Sequence, residues 1–263
     1  MQRLKALSNT KRRSQSSLLL LEGSHLLEEA IKVGLMPLEI IATQKWIDAH
    51  THILSEISYE VQIQVVTQSV LKTALTTINP DGVASVLPVE ALPRFDSEPD
   101  FVLALDRIQD PGNLGTLFRT ALAAEVEVVW LALGADPLGQ KALRSSAGAV
   151  LNLPFERYAN AEEEAVNKLS KNLKIAKNRG LQVVGALSNK SLINRKVLPY
   201  WEIDWREPTV LVLGNEGAGV HPKIQACCTH FVTLPHNEIV ESLNVASAAV
   251  PLLLERLRAK MTS

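Results

Sequence analysis

FVLALDRIQDPGNLGTLFRTALAAEVEVVWLAL, residues 101–133, is the stretch whose reading decides the fold. Its first five residues are an unbroken apolar run, the pattern of a strand covered on both faces in a parallel sheet. Pro111-Gly112 turns the chain, Asn113 is read as an N-cap, and a helix is expected from there to about Glu125. VEVVWLAL, residues 126–133, is a second buried strand. A strand, a helix and a strand in that order return the chain parallel to itself.

Toward the C-terminus the alternation continues. Lys141 to Gly148 is polar and small, and residues 151–155 read as a short strand. Asn160, with Glu163 three residues on, has the spacing of a capping box. The helix that follows carries Glu162, Glu163 and Glu164 at its start and Lys171, Lys174, Lys177 and Arg179 toward its end, matching the helix dipole before Gly180 stops it. LQVVGAL (181–187), TVLVLG (209–214) and HFVTL (230–234) are three further strands. LPHNEIVESLNVASAA, residues 234–249, then joins a polar loop to a final helix expected over 243–259, with Ser242 as its cap. The whole is an α/β domain with a mostly parallel sheet, whose ligands belong beyond the carboxyl ends of the strands.

Toward the N-terminus, residues 87–100 hold three prolines and four acids without periodicity, and this linker places a domain boundary near position 95. The first domain, residues 1–94, alternates strand (18–22), helix from Ser24 to Gly34, strand (38–42), a short helix around Trp46, strand (60–66), a helix after Thr67, and strand (83–87). The second domain is residues 95–263. Arg3, Lys5, Lys11, Arg12 and Arg13 all precede the first acid, Glu22, forming a basic N-terminal arm suited either to phosphate contact or to a solvated helix.

The chain of 263 residues is 46% hydrophobic and 21% charged with a formal net charge of -1, so global charge singles out no partner. No apolar run approaches the roughly 18 residues of a membrane span, and no membrane partner is expected. The first residues lack the apolar core of a secretory signal. Cys227 and Cys228 are adjacent, which argues against a structural disulfide between them and for a reducing, cytoplasmic setting.

Three carboxyl-terminal strand ends carry unusual polar residues. Asp106, Arg107, Asn113 and Arg119 follow the first strand of the second domain, Gly214-Asn215-Glu216-Gly217-Ala218-Gly219 follows the strand at 209–213, and Ser242 and Asn244 follow the strand at 230–234. Singly they are a helix cap, a surface arginine, a glycine-rich turn and a capped helix. The glycines lack dinucleotide-binding spacing, and no Gly-Lys-Ser/Thr is present. His221, Cys227, Cys228, His230 and His236 match no zinc spacing, so no metal is expected.

Taken together, DRIQDPGNLGTLFRTA, LVLGNEGAGV and LPHNEIVESLNVASAAV resemble in order the three motifs of the SpoU (TrmH-like) ribose methyltransferases of the SPOUT superfamily. KALRSSAGAVLNLPF, residues 141–155, is similar to the segment between the first two motifs, and LLLLEGSHLLEEAIKVG to the substrate-binding domain many members carry, a small ribosomal-protein-like α/β fold. The resemblance implies a C-terminal trefoil knot and S-adenosylmethionine as cofactor, held by Gly214, Asn215, Glu216, Gly217, Leu234, Pro235, Leu243 and Asn244. It implies methyl transfer to a ribose 2′-hydroxyl, with Asn113, Arg119, Ser242, Asn244 and Glu216 as catalytic positions. A guanidinium stays protonated, so Arg119 is assigned to phosphate anchoring and stabilisation of the developing alkoxide, not to proton abstraction. The implied partners are RNA, ribosomal in preference to transfer RNA, and a second copy packed through the final helix. A transfer-RNA enzyme and a non-catalytic RNA-binding or ribosome-assembly factor are the competing readings. Leu234-Pro235-His236 departs from the isoleucine, proline and methionine more usual there.

Overall fold

In the computed structural model the chain is described at all residues except Met1, Asn160, 188–195, Glu238, Glu241 and Ser263. In chain order the elements are α1 (Gln2–Leu7), α2 (Thr10–Ser16), β1 (Leu18–Glu22), α3 (Ser24–Lys32), β2 (Glu39–Ala42), α4 (Gln44–Ala49), α5 (Thr51–Ser55), β3 (Gln62–Val65), α6 (Gln68–Ala74) and β4 (Val83–Pro88). Then come β5 (Phe101–Leu105), α7 (Pro111–Ala123), β6 (Val128–Leu131), α8 (Gln140–Ser146), α9 (Ala149–Asn152), β7 (Phe155–Arg157), α10 (Glu162–Asn178) and β8 (Gln182–Ala186). The chain ends with β9 (Leu198–Pro199), β10 (Thr209–Leu213), α11 (Pro222–Gln225), β11 (His230–Thr233) and α12 (Val245–Met261). None of the described helices is long and apolar enough to cross a membrane.

Contacts divide the chain into two units: Met1–Pro93 with Asp136–Asn152, and Arg94–Ala135 with Leu153–Ser263. The first is a four-stranded sheet in the order β1-β4-β2-β3, antiparallel except for the β2–β3 pair. β3 is an exposed edge strand, so its alternating sequence decorates a rim and covers no core. The basic arm forms α1 and α2. Arg13 is buried, donates to the Leu7 carbonyl at 2.8 Å and pairs with Asp136, while Arg3 pairs with Glu39, so part of the arm's charge holds structure. Lys5, Lys11 and Arg12 remain exposed.

Residues 136–152 correct the sequence reading, which placed them in the second domain. Gln140 Nε2 donates to the Leu20 carbonyl at 2.8 Å and Arg144 meets the buried Glu22 carboxylate at 3.3 Å, fastening α8 to β1. The strand expected at 151–155 is also replaced, by α9 and then β7. Gly148, at φ +86°, turns the chain into α9, and a Cβ there would lie 2.7 Å from the Glu29 side chain. A short apolar run does not by itself distinguish helix from strand. The linker is shorter than expected as well, since β4 runs through Pro88 before a 3₁₀ turn at Val89–Ala91. The capping residue expected for α10, Asn160, lies outside the described residues, and Ala161 holds the cap position.

The second unit is a seven-stranded sheet, β7-β6-β5-β10-β8-β11-β9, parallel throughout. Val102, Ala104, Val210 and Val212 face a layer that includes Leu169 and Leu173 of α10. Helices α7 and α12 pack together, burying Leu114, Leu117, Phe118 and Ala121 from one and Ala246, Ala249, Leu252 and Leu253 from the other. After β5 the chain runs outward through β6 and β7, then returns to β8 beyond β10. Such a reversal in strand order, here between β5 and β10, favours ligand sites at the carboxyl ends of the strands.

Candidate functional site

Asp106, directly after β5, is fully buried, and its carboxylate is doubly used. It accepts from the Arg107 side chain at 2.9 Å and from the His221 backbone N–H at 2.6 Å. Arg107 adopts φ +59° and also reaches Glu162 at 2.8 Å. The hydrogen bond that it donates to Asp106 is the main reason that the Arg107 guanidinium is held above its ordinary range. The left-handed turn leaves the Arg107 carbonyl to accept from Asn215 Nδ2 at 2.9 Å, which ties the first motif to the second.

The N-cap of α7 is Asp110, correcting the assignment of that role to Asn113. Its carboxylate accepts from Asn113 N at 2.9 Å, and Pro111 occupies the first turn, where a missing N–H costs nothing. Asn113 is thereby freed from capping. Its Nδ2 donates to Glu216 Oε1 at 3.1 Å and its Oδ1 accepts from Asn244 Nδ2 at 2.9 Å. Arg119 stands exposed two turns further along the same helix.

The loop after β10 is pinned into a small closed turn. Asn215 and Gly219 exchange backbone hydrogen bonds at 3.1 and 2.9 Å, and Asn215 Oδ1 accepts from the N–H groups of Gly217 and Ala218. Glu216 leans out of it to accept from the backbone N–H groups of Gln109 and Asp110 at 3.1 and 3.2 Å. Burial pushes its carboxyl up, but the hydrogen bonds from Asn113 and these amides outweigh that and hold it below the usual carboxylate range.

The final helix starts two residues later than Ser242 would set it. Asn244 is its N-cap, accepting from Ala246 N at 2.9 Å and Ser247 N at 3.2 Å. An amide caps as well as a hydroxyl and carries a donor besides. The two roles of Asn244 separate on substitution. Asn244→Ala is expected to cost about 1 kcal/mol of stability through the lost cap, whereas Asn244→Asp keeps the capping acceptor, replaces the N–H that reaches Asn113 by an oxygen and is expected to be less destabilised than Asn244→Ala. Thermal denaturation of both variants checks this, and equal destabilisation would contradict it.

A cavity of about 240 Å³ opens beside these loops, lined by Gly214, Asn215, Glu216 and Gly217 and by Leu234, Ser242 and Leu243. Leu187, Leu213, Val232, Val245 and Leu252 add apolar wall. Of the expected cofactor residues, Pro235 and Asn244 do not line it. Leu187, at the end of β8, and Val245, Ala248 and Leu252 on α12 do, and were missed. The carboxyl end of β8 was a readable signal, whereas the inward face of α12 was not. Within the wall, His236 Nδ1 donates to the Leu234 carbonyl at 2.7 Å, leaving Nε2 buried with no partner among the described residues. Glycine backbone on one side, apolar walls on another and an unmet polar atom suit a nucleoside cofactor. No group of three or more His, Cys, Asp or Glu among the described residues is disposed to hold a metal ion.

The sequence model of the SpoU rRNA methylase family matches residues 100–253, and that of the MRM3-like substrate-binding domain matches residues 1–85. The chain is 36% identical to an uncharacterised tRNA/rRNA methyltransferase of Synechocystis, over 97% of this chain and 89% of the relative. It is 34% identical to the 23S rRNA guanosine-2′-O-methyltransferase RlmP of Bacillus subtilis, over 95% of this chain and 92% of the other. Among solved structures, an AdoMet-bound rRNA methyltransferase from Sinorhizobium meliloti superposes with a TM-score of 0.78 at 26% identity, covering 98% of this chain and 93% of that one.

Proposed function

The chain belongs to the SpoU rRNA methylase family, and on that premise we propose that it methylates a ribose 2′-hydroxyl in ribosomal RNA, which we favour over transfer RNA. S-adenosylmethionine, when bound, supplies the methyl group on a good leaving group, so the protein's own task is to orient the hydroxyl and manage charge. The observation that carries the reading is the meeting of all three motif loops in one hydrogen-bonded chain, Glu216 to Asn113 to Asn244, beside the cavity. A binding module has no use for such convergence. The preference for ribosomal RNA is supported by likeness to RlmP along nearly the full length of both chains, first unit included.

In this reading, the glycine-rich loop and the walls at Leu234 and Leu243 hold the cofactor, and Ser242 orients what enters between them. The second N–H of the Asn113 and Asn244 amides is available to the ribose. Exposed Arg119 anchors a backbone phosphate and stabilises the developing alkoxide. Lys5, Lys11 and Arg12 add phosphate contacts from the first unit. We also propose that residues after β10 and β11 form the knot loops, and that a second copy covers the α12 stripe of Ser247, Val250, Leu254 and Met261, whose apolar members are 38–78% exposed.

The test is transfer of labelled methyl from S-adenosylmethionine to purified ribosomal and transfer RNA, followed by nucleoside analysis. A 2′-O-methylated nucleoside from ribosomal RNA is expected, with kcat/KM about a hundredfold lower for Arg119→Ala. Labelled transfer RNA alone would reassign the substrate. Cofactor binding without transfer to either would establish the binding-factor reading.

A further inference from the structure

We infer that Glu216 is a positioning residue, which sets the direction of a hydrogen-bond chain through Asn113 and Asn244 and takes no proton from the ribose. The inference rests on the methyltransferase reading and assigns a role inside the same site.

The argument is one of polarity. A primary amide can present either its oxygen or its NH₂ to a neighbour, and the two ends look alike in shape. Here both ends of the chain admit one choice. At one end, the N–H groups of Ala246 and Ser247 at the start of α12 can only donate, so they take the oxygen of Asn244. Asn244 must then offer Nδ2, which meets Asn113 Oδ1 at 2.9 Å. Asn113 must in turn offer Nδ2, and this meets Glu216 Oε1 at 3.1 Å. At the far end an ionised carboxylate can only accept. Donors therefore point the same way from the helix N-terminus to Glu216, and each amide is locked in one orientation.

The remaining acceptor capacity of Glu216 faces more donors. Gln109 N reaches Oε2 at 3.1 Å and Asp110 N shares Oε1 at 3.2 Å, so the carboxylate is surrounded by N–H groups from the first motif. Protonation would turn one oxygen into a donor and set it against one of them. A general base works best with its pKa near the working pH, and this environment holds Glu216 on the other side, ionised throughout the neutral range. What a permanent carboxylate does supply is an end-stop. Without it, the Asn113 amide keeps only the constraint from Asn244 Nδ2, and the N–H it offers to the ribose is less firmly held.

Exchanging the two ends of one bond tests this directly. Glu216→Gln leaves an acceptor for Asn113 but faces one backbone N–H with an NH₂ group, and kcat is expected to fall about tenfold with a pH profile parallel to wild type between about pH 6 and 9. Asn113→Asp alone places two carboxylates against each other and is expected to lose more. The double variant Asn113→Asp with Glu216→Gln restores complementarity: the side-chain amide introduced at position 216 donates to the new carboxylate, which also accepts from Asn244. Its kcat is expected to exceed that of Asn113→Asp alone by about tenfold or more. A double variant no better than Asn113→Asp, or a Glu216→Gln profile that loses its acidic limb, would overturn the inference and make Glu216 the base.

A readout independent of turnover separates this from failure of the activity itself. In protein labelled at asparagine amides, Glu216→Ala is expected to shift the side-chain signals of both Asn113 and Asn244, although Glu216 bonds only the first. Unchanged Asn244 signals would remove the chain. A wild-type protein that transfers no methyl would remove the methyltransferase reading while the amide spectra still decide the chain.

Discussion

Gly214→Ala is expected to abolish measurable cofactor binding while leaving the fold of the second unit in place. The reason is space, since Gly214 does not have a positive φ. A Cβ at this position would lie 2.3 Å from Val220 N, 2.4 Å from the Gly219 carbonyl carbon and 2.8 Å from its oxygen, all of them backbone atoms. No flexible side chain can move aside. The two limbs of the loop would have to part by about an ångström, against the paired hydrogen bonds between Asn215 and Gly219 and the bonds from Asn215 to Gly217, Ala218 and the Arg107 carbonyl. Overpacking of this kind costs about 1–3 kcal/mol in a core, and here the displaced atoms are the cavity wall. Titration calorimetry with S-adenosylmethionine is the measurement. An affinity equal to wild type would show that the loop at 214–219 is not the wall that holds the cofactor.

The second large effect is on stability. Arg256→Leu is expected to lower the stability of the second unit by about 3 kcal/mol, a sizeable part of the roughly 5–15 kcal/mol typical of a domain. Arg256 is 2% exposed on the inner side of α12. It donates to the Trp205 carbonyl at 2.8 Å and to the Asp100 carbonyl at 3.3 Å, bonds the Glu207 carbonyl, and lies 4.7 Å from the centre of the Phe101 ring. Burial depresses its pKa, against which Asp100, Glu127 and Glu207 act through space. Leucine recovers the cost of burying a charge. It also strands the Trp205 carbonyl, whereas the Asp100 carbonyl keeps the N–H of Thr209 and the Glu207 carbonyl keeps the Thr209 hydroxyl. Because the guanidinium joins α12 to the segments leading into β5 and β10, the loss of several bonds at once outweighs the recovered desolvation. Urea denaturation followed by tryptophan fluorescence reads this through buried Trp205. An unchanged midpoint would show that apolar contacts alone seat α12.

Much of the second unit was legible because its strands are short apolar runs bounded by polar residues. β5, β8, β10 and β11 fall within one or two residues of their expected positions. Periodicity could not decide the segment 140–152, where small and apolar residues serve a helix as well as a strand, and nothing local says which unit it joins. The bonds of Gln140 and Arg144 to β1 cross more than a hundred positions, and they settle it. Capping showed the same limit: Asn113 and Ser242 are good caps, but so are their neighbours Asp110 and Asn244, and the choice depends on what else each side chain can reach.

The order of apolar runs, the polar loops at their carboxyl ends and the three motifs were enough to determine an α/β chain, a family and a set of candidate residues. The fold class follows from local composition and spacing, the family and the candidate residues from the resemblance of the three motifs, and both survive without coordinates. The tertiary structure decided which of those residues meet. Glu216 and Asn113 lie more than a hundred positions apart, as do Asn113 and Asn244. Only the parallel sheet, by bringing the ends of β5, β10 and β11 to one edge, converts three separate loops into a single directed chain of hydrogen bonds. The same holds for Arg256, which reads as an ordinary basic residue in a helical pattern and becomes a buried fastening because long-range packing removes water from around it.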